Sequence, residues 1–349
     1  MGKLAITLFL GLLINLSFGQ VGGMTSFQFL NMSDNARVMG IGGQNVSTLD
    51  RDVNMSMANP GALDTSQQNH ASFNYLPYFS TINRSTLLYA FNRPKSGMWA
   101  TGMTYQGYGK FDETDAGGNV IGEFKANDFS LFVTKSHRID HFSFGVTMKL
   151  VGSTIASFNS YAVAMDIGGV FIHPKIDLQI GMAFKHVGFV FDKYIQGVGQ
   201  SMPTDLQVGI SYKLEHMPVR FSMTGYNLLT KDVYYFDSEL NVEFDENGDK
   251  VTADKKFSEQ IFRRLIFGAE FMFSEKFQLR VGYNHLRRKE LRLEQKSGGA
   301  GFSFGGMIQI KGYDIAYTRA MYHTAGGTSV ITITTDLGRY FYKNVSKFE

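Results

Sequence analysis

The chain contains no cysteine, which excludes disulfides, thiol nucleophiles, Cys-ligated metals and a lipidated N-terminal Cys. Charge is also scarce. Charged residues make up 19% of the 349 positions and the net charge is +3. Nucleic-acid binding needs Lys and Arg clustered on one face, so no nucleic-acid partner is expected. Only six prolines occur: Pro60, Pro77, Pro94, Pro174, Pro203 and Pro218. None falls inside the core of an alternating segment, where proline would remove a ladder hydrogen bond. Beyond the first residues no run of about 18 apolar residues occurs, so no helix can span a bilayer. An exported chain of this kind is either soluble or a closed β-barrel.

The first nineteen residues read as a secretory signal peptide. Lys3 supplies the positive start, Ala5 to Leu16 the apolar stretch, and Ser17-Phe18-Gly19 the small-residue cleavage site. The mature chain then begins at Gln20. Residues 20–66 do not alternate and are rich in Gly, Asn, Asp and Ser. Ser33-Asp34-Asn35 suits the cap of a short helix, and Gly40, Gly42 and Gly43 interrupt any regular structure after it.

From Ala71 onward the pattern has period two. In His141 to Leu150 the apolar residues Phe142, Phe144, Val146, Met148 and Leu150 alternate with Ser143, Gly145, Thr147 and Lys149. Phe277, Leu279, Val281 and Tyr283 alternate likewise with Gln278, Arg280, Gly282 and Asn284. Strict alternation means a strand with one apolar and one polar face. About fourteen such strands are predicted over residues 67–349, each near the length of a tilted membrane strand. Their starts lie near Ala71, Arg84, Gly97, Ala126, Asp140, Asn159, Lys175, Asp205, Met217, Arg263, Lys276, Gly299, Gly312 and Thr328.

The connections sort by length. Those at 92–96, 136–139, 172–174, 214–217, 274–275 and 311–312 are short. Gly107 to Lys125, Gly188 to Thr204, Leu228 to Phe262 and Leu286 to Ser297 read as long polar loops. Tight periplasmic turns and large outer loops are the habit of bacterial outer-membrane barrels. An even strand number then leaves both termini periplasmic. The tyrosine pairs Tyr75 and Tyr78, Tyr105 and Tyr108, Tyr317 and Tyr322 suit interfacial girdles.

Several motifs admit a plainer reading. Gly301-Phe302-Ser303-Phe304-Gly305 fits a nucleophile elbow, but Met307-Ile308-Gln309-Ile310 continues as an alternating strand rather than a helix. Ser143, beside His141 and Gly145, is read the same way. Asp245-Glu246-Asn247-Gly248-Asp249 lacks the full ligand spacing of a calcium loop. Gly40-Ile41-Gly42-Gly43 lacks the strand and third spaced glycine of a phosphate-binding turn. His285 with Arg287-Arg288-Lys289 reads as a basic outer loop able to meet lipopolysaccharide or an acidic partner.

One stretch carries a family pattern. Gly22-Gly23, Phe29-Leu30-Asn31, Ser33 to Ala36-Arg37, Gly40-Ile41-Gly42-Gly43, Asp50-Arg51-Asp52 and Asn59-Pro60 resemble the start of the PorQ-type barrels of the type IX secretion system of Bacteroidetes. Those barrels are related to the FadL transporters. Ala usually follows the Asn-Pro pair, whereas here Gly61 comes before Ala62. The resemblance implies a non-enzymatic anchor without cofactors. Its implied partner is a PorZ-like surface protein, with PorU-like and PorV-like components.

The expectation is therefore an all-β transmembrane antiparallel barrel of about fourteen strands in the bacterial outer membrane, with an N-terminal plug-like segment over residues 20–66. Phe29, Leu30, Ala36, Arg37, Gly40, Gly42, Gly43, Asn59 and Pro60 form its motif. Its surroundings are outer-membrane lipid and lipopolysaccharide. Tyr234, Tyr235, Phe236, Asp245 and Asp249 are candidate partner contacts on the longest outer loop. A FadL-like channel for hydrophobic compounds is the alternative, and a barrel-borne lipase a third reading.

Overall fold

The computed structural model describes residues 25–195, 197, 199–230, 233, 242–244, 250–252, 257–291, 298–323 and 326–341. The expected signal peptide lies outside the described residues, as do Tyr234, Tyr235, Phe236, Asp245 and Asp249.

The first nine strands are β1 (His70–Pro77), β2 (Asn83–Arg93), β3 (Gly97–Thr114), β4 (Val120–Ile139), β5 (Phe142–Ile155), β6 (Phe158–Ile172), β7 (Leu178–Asp192), β8 (Asp205–Lys213) and β9 (Val219–Gly225). A small separate hairpin comes next, β10 (Val242–Phe244) with β11 (Lys250–Thr252). The chain then resumes the wall with β12 (Leu265–Ser274), β13 (Phe277–Asn284), β14 (Phe302–Ile310), β15 (Tyr313–His323) and β16 (Gly326–Asp336). Each wall strand pairs antiparallel with its chain neighbour, β9 pairs β12, and β1 pairs β16, so fourteen strands close into a barrel without an edge.

Burial along the wall is inverted relative to a soluble barrel. In β5, Phe142, Phe144, Val146 and Met148 are exposed while Ser143, Gly145 and Thr147 are buried. Leu131 and Val133 of β4, and Ile331 and Ile333 of β16, also point outward. Serines, threonines and charged groups face the lumen. An apolar band of this extent is stable only against lipid. The chain is a transmembrane β-barrel.

One rim carries only compact turns, at 94–96, 140–141, 173–177, 214–218, 275–276 and 311–312. The other carries the 193–204, 226–264 and 285–301 connections. Two expectations change here. Gly107 to Lys125 is not a loop: β3 and β4 stay paired past the wall, with Phe111 stacked on Phe124 at 5.3 Å. Both faces of that extension are polar enough to hide its alternation. The basic run at 285–289 lies in a helix, His285–Leu291, with Arg287 over the Tyr322 ring at 4.1 Å and Arg288 over Phe302. The tyrosine pairs also split. Tyr75, Tyr105 and Tyr317 face outward, whereas Tyr78 and Tyr322 pack edge-to-face at 5.6 Å beside Met32.

Residues 25–69 lie inside the barrel. Thr25 bridges Ser201 on the rim of long connections. Asp64 reaches Arg138 on the opposite rim, just before β1 begins. The segment thus threads the lumen from one rim to the other. The two ends of the wall, His70 and Asp336, pair on the compact-turn rim.

Candidate functional site in the lumen

Asn35 starts the short helix Ala36–Gly40, its Oδ1 accepting from the N–H groups of Arg37 (2.7 Å) and Val38 (2.9 Å). The helix lies on β13–β16. Ala36 is held at both ends of its peptide unit, its N–H by Thr332 and its carbonyl by Thr318. The helix ends at Gly42 and Gly43, both at φ 106°, a left-handed backbone that favours glycine.

Arg37 projects from this helix into a buried charge network. Its Nε donates to Glu270 Oε1 at 2.8 Å. Its Nη1 and Nη2 form a fork onto Asp50 at 2.8 and 2.7 Å, and Asp52 lies 3.4 Å from Nη1. Arg220 reaches Asp50 at 2.9 Å, and Arg280 reaches Glu270 at 3.2 Å. Three arginines thus face three carboxylates, and the cluster balances. Buried ions of this kind are held by mutual pairing, because each alone would be costly to desolvate.

A second anchor is Asn59. Its Nδ2 donates to the carbonyls of Val46 (2.6 Å), Gly169 (3.1 Å) and Met182 (3.3 Å), while its Oδ1 accepts from Gly61 N–H at 2.9 Å. The segment comes this close because the wall offers glycines. A Cβ at Gly145 would strike the Pro60 carbonyl, one at Gly168 the Asn59 side chain, and one at Gly181 the Val46 carbonyl. On the far wall Gly268 and Gly282 receive Ile41 and Gly42 in the same way. The strand glycines are therefore seats for the backbone of the luminal segment.

Every residue of the predicted motif is inside the lumen. Phe29 and Phe27 pack with Val151, Ala162, Ala164 and Met202. Leu30 lies beside them, and Gly40 sits against Thr318 and Arg280. Sequence reasoning missed the wall partners Arg220, Glu270, Lys149, Asp166, Lys185 and His186. Their signal was a charged or histidine side chain at an inward position among Ser, Thr and Gly.

The segment does not fill the lumen evenly. Toward the rim of long connections an open cavity remains between it and the wall. Phe29, Leu30, Met32 and Met57 border it from the segment, and Phe132, Ser130, Lys149 and Lys185 from the wall. Arg84 pairs with Asp34 at 3.0 Å, and Lys149 with Asp166 at 2.5 Å, at its margins. A second, charged vestibule opens beside Arg37, Asp50, Arg220 and Asp314.

The elbow-like Ser303 is strand, and its Oγ donates to the Gly40 carbonyl at 3.1 Å. A hydroxyl bonded to the luminal segment in this way has no base beside it. Among the described residues no group of His, Asp and Glu is arranged to hold a metal ion.

No protein-family model and no curated protein sequence matches the chain. Solved structures do. The Pseudomonas putida toluene transporter TodX aligns at 10% identity and TM-score 0.45, covering 86% of this chain and 95% of that one. A TodX deltaS2S3 mutant, a monoaromatic hydrocarbon channel, aligns at 10% identity and TM-score 0.49 over 86% and 99%. The KdgM porin aligns at 7% identity and TM-score 0.32 over 76% and 98%. The barrel assignment itself rests on the pairing of the fourteen strands.

Proposed function

We propose that the protein is a non-enzymatic outer-membrane channel of the FadL-like kind, which admits hydrophobic compounds and is closed at rest by residues 25–69. The observation that carries this reading is the cavity left between the segment and the wall, faced by Phe29, Leu30, Met32 and Phe132. A chain that served only to fill the lumen would have no reason to leave an apolar-faced cavity there. The compact turns face the periplasm in this reading, and the long connections face outward. Uptake of a hydrophobic compound such as toluene into cells tests it. Deleting the gene should slow uptake, and normal uptake in the deletion strain would reject the channel.

A second reading comes from the PorQ-type motif. The protein would then anchor a PorZ-like surface protein, together with PorU-like and PorV-like components, through the 226–264 connection. What favours it is that the motif residues Arg37, Gly42, Asn59 and Pro60 fix the segment rather than line the cavity. Purification from solubilised outer membranes separates the two readings. Co-purifying secretion-system proteins that disappear when the connection is shortened support the anchor, and their absence rejects it.

A further inference from the structure

The lipid-facing surface of the wall carries a charge where none is expected. Of the outward side chains of β13–β16, only Arg319 of β15 is an acid, a lysine or an arginine. It is exposed, with Phe304 beside it on β14 and Ser329 beside it on β16. A charge facing hydrocarbon is costly unless it reaches water or an anion. The Nη1 of Arg319 donates to the Ser329 hydroxyl at 2.9 Å, and no carboxylate among the described residues lies within ion-pair distance. A guanidinium has five N–H donors, so the others remain for an acceptor outside the chain. The Tyr317 hydroxyl meets the same Ser329 at 2.9 Å, which gathers three polar groups on an otherwise apolar face. Arg319 also lies in the half of β15 nearer the rim of long connections. Aromatic rings mark that level. Phe302 stacks on Phe304 at 6.5 Å, and Tyr283 lies on Phe302 at 4.9 Å. At the upper edge Arg288 stands over Phe302 at 6.0 Å, steadied by the carbonyls of Gly298 and Ala300. Two arginines thus flank one aromatic strip. Such belts sit at the membrane interface, where long cationic side chains extend toward the headgroups.

We propose that this strip binds lipopolysaccharide through a phosphate of its lipid A. Phosphate oxygens accept from the remaining N–H groups of Arg319, whose planar fork matches them in pairs. The acyl chains lie along Phe304 and Ile331, and the phosphorylated sugar sits toward Phe302 and Arg288. Two cations at the ends of one strip fit an amphiphile with more than one negative charge. A zwitterionic phospholipid brings a single phosphate and its own ammonium. The inference takes its leaflet from the outward orientation of the long connections, and it does not depend on the channel.

Native mass spectrometry of the full-length protein in a non-ionic detergent tests it. Three lipids are titrated: bisphosphorylated lipid A, the same lipid without its phosphates, and phosphatidylglycerol. Charge-assisted hydrogen bonds should make bisphosphorylated lipid A bind about tenfold or more tighter than the dephosphorylated form. It should also bind tighter than phosphatidylglycerol. Arg319→Leu should bring the phosphate-dependent ratio near unity, and Arg319→Lys should keep part of it. Leucine suits a lipid-facing position, so Arg319→Leu should remain a folded barrel, as heat-modifiable gel mobility checks. Equal binding of the two lipid A forms by the unmodified protein overturns the proposal. So does a phosphate preference that survives in folded Arg319→Leu, or phosphatidylglycerol bound as tightly as lipid A. Orientation is checked separately. The chain has no cysteine, so Ala116→Cys, in the exposed turn between β3 and β4, supplies a single thiol. A membrane-impermeant maleimide should label it on intact cells. Protection there overturns the orientation and the lipopolysaccharide assignment with it, whereas labelling combined with equal lipid binding overturns the lipid site alone.

Discussion

The two sides of the lumen are built on opposite principles. On the side of β9 and β12–β16 the short helix lies directly on the wall, and Arg37 ties it to Glu270 and Asp50 with every carboxylate paired. On the side of β2–β7 the same segment is seated on the wall at Asn59 and Pro60, while nearer the rim of long connections it stands off and leaves a cavity. Both sides are polar, so polarity does not separate fixing from binding. Contact does. Where the backbone of the segment meets strand glycines or its charges meet the wall the segment is locked, and where it stands off there is a cavity.

The comparison breaks most readily at Arg37. Arg37→Met leaves Asp50, Asp52 and Glu270 against only Arg220 and Arg280, and losing one partner of a buried ion network costs about 3–5 kcal/mol. The segment should loosen while the wall stays closed. Limited proteolysis would then cut within residues 25–69 of a barrel that still runs as folded on gels, and full protection would reject the lock. Gly145→Leu comes next. It drives a side chain into the Pro60 carbonyl, and overpacking of this kind costs about 1–3 kcal/mol. The measured loss in thermal stability should exceed that of Gly326→Leu, at the start of β16, where a Cβ meets nothing and the backbone is not left-handed.

A smaller effect is expected at the compact-turn rim. Burial alone would raise the Asp64 carboxyl, but the Ser66 N–H at 2.9 Å and Arg138 at 3.2 Å outweigh it and hold it below the usual value. A depressed acid stabilises the fold above its unfolded value of about 3.9 and loses that contribution as the pH falls through the folded value. Arg138 is partly exposed, so the tether contributes less than about 1 kcal/mol. Asp64→Asn should lower stability at pH 7 by less than about 1 kcal/mol and remove part of the acid sensitivity below about pH 4. Smallest of all, Ser303→Ala and Ser143→Ala should leave any hydrolysis of ester substrates unchanged, since Ser303 serves the Gly40 carbonyl.

Much of the wall was legible. Alternation in segments such as Phe142 to Leu150 marks strands whichever face is buried, so the fourteen starts fall within a few residues of the observed ones, apart from β4 at Val120. Its polar composition concealed the β3–β4 extension because alternation vanishes once neither face meets lipid. The 285–291 helix was hidden for a related reason: four of its seven residues are charged, and Arg287 and Arg288 are steadied by stacking on rings distant in sequence. Within the lumen, Arg37 and Asn59 stood out from the motif. Glu270 and Lys185 did not, since an inward charge on a strand reads simply as the polar face. Arg37, the partner of Glu270, comes from a segment 233 residues away, and the acid opposite Lys185 is Asp205 on the neighbouring strand.

The central claim is that residues 25–69 close the barrel through the Arg37 network. Conductance in planar bilayers tests it most directly. The intact protein should show no steady pore, and Arg37→Met should open steps of porin size. Steady large conductance from the intact protein, or silence from a variant lacking residues 25–66 that still forms a folded barrel, would contradict it.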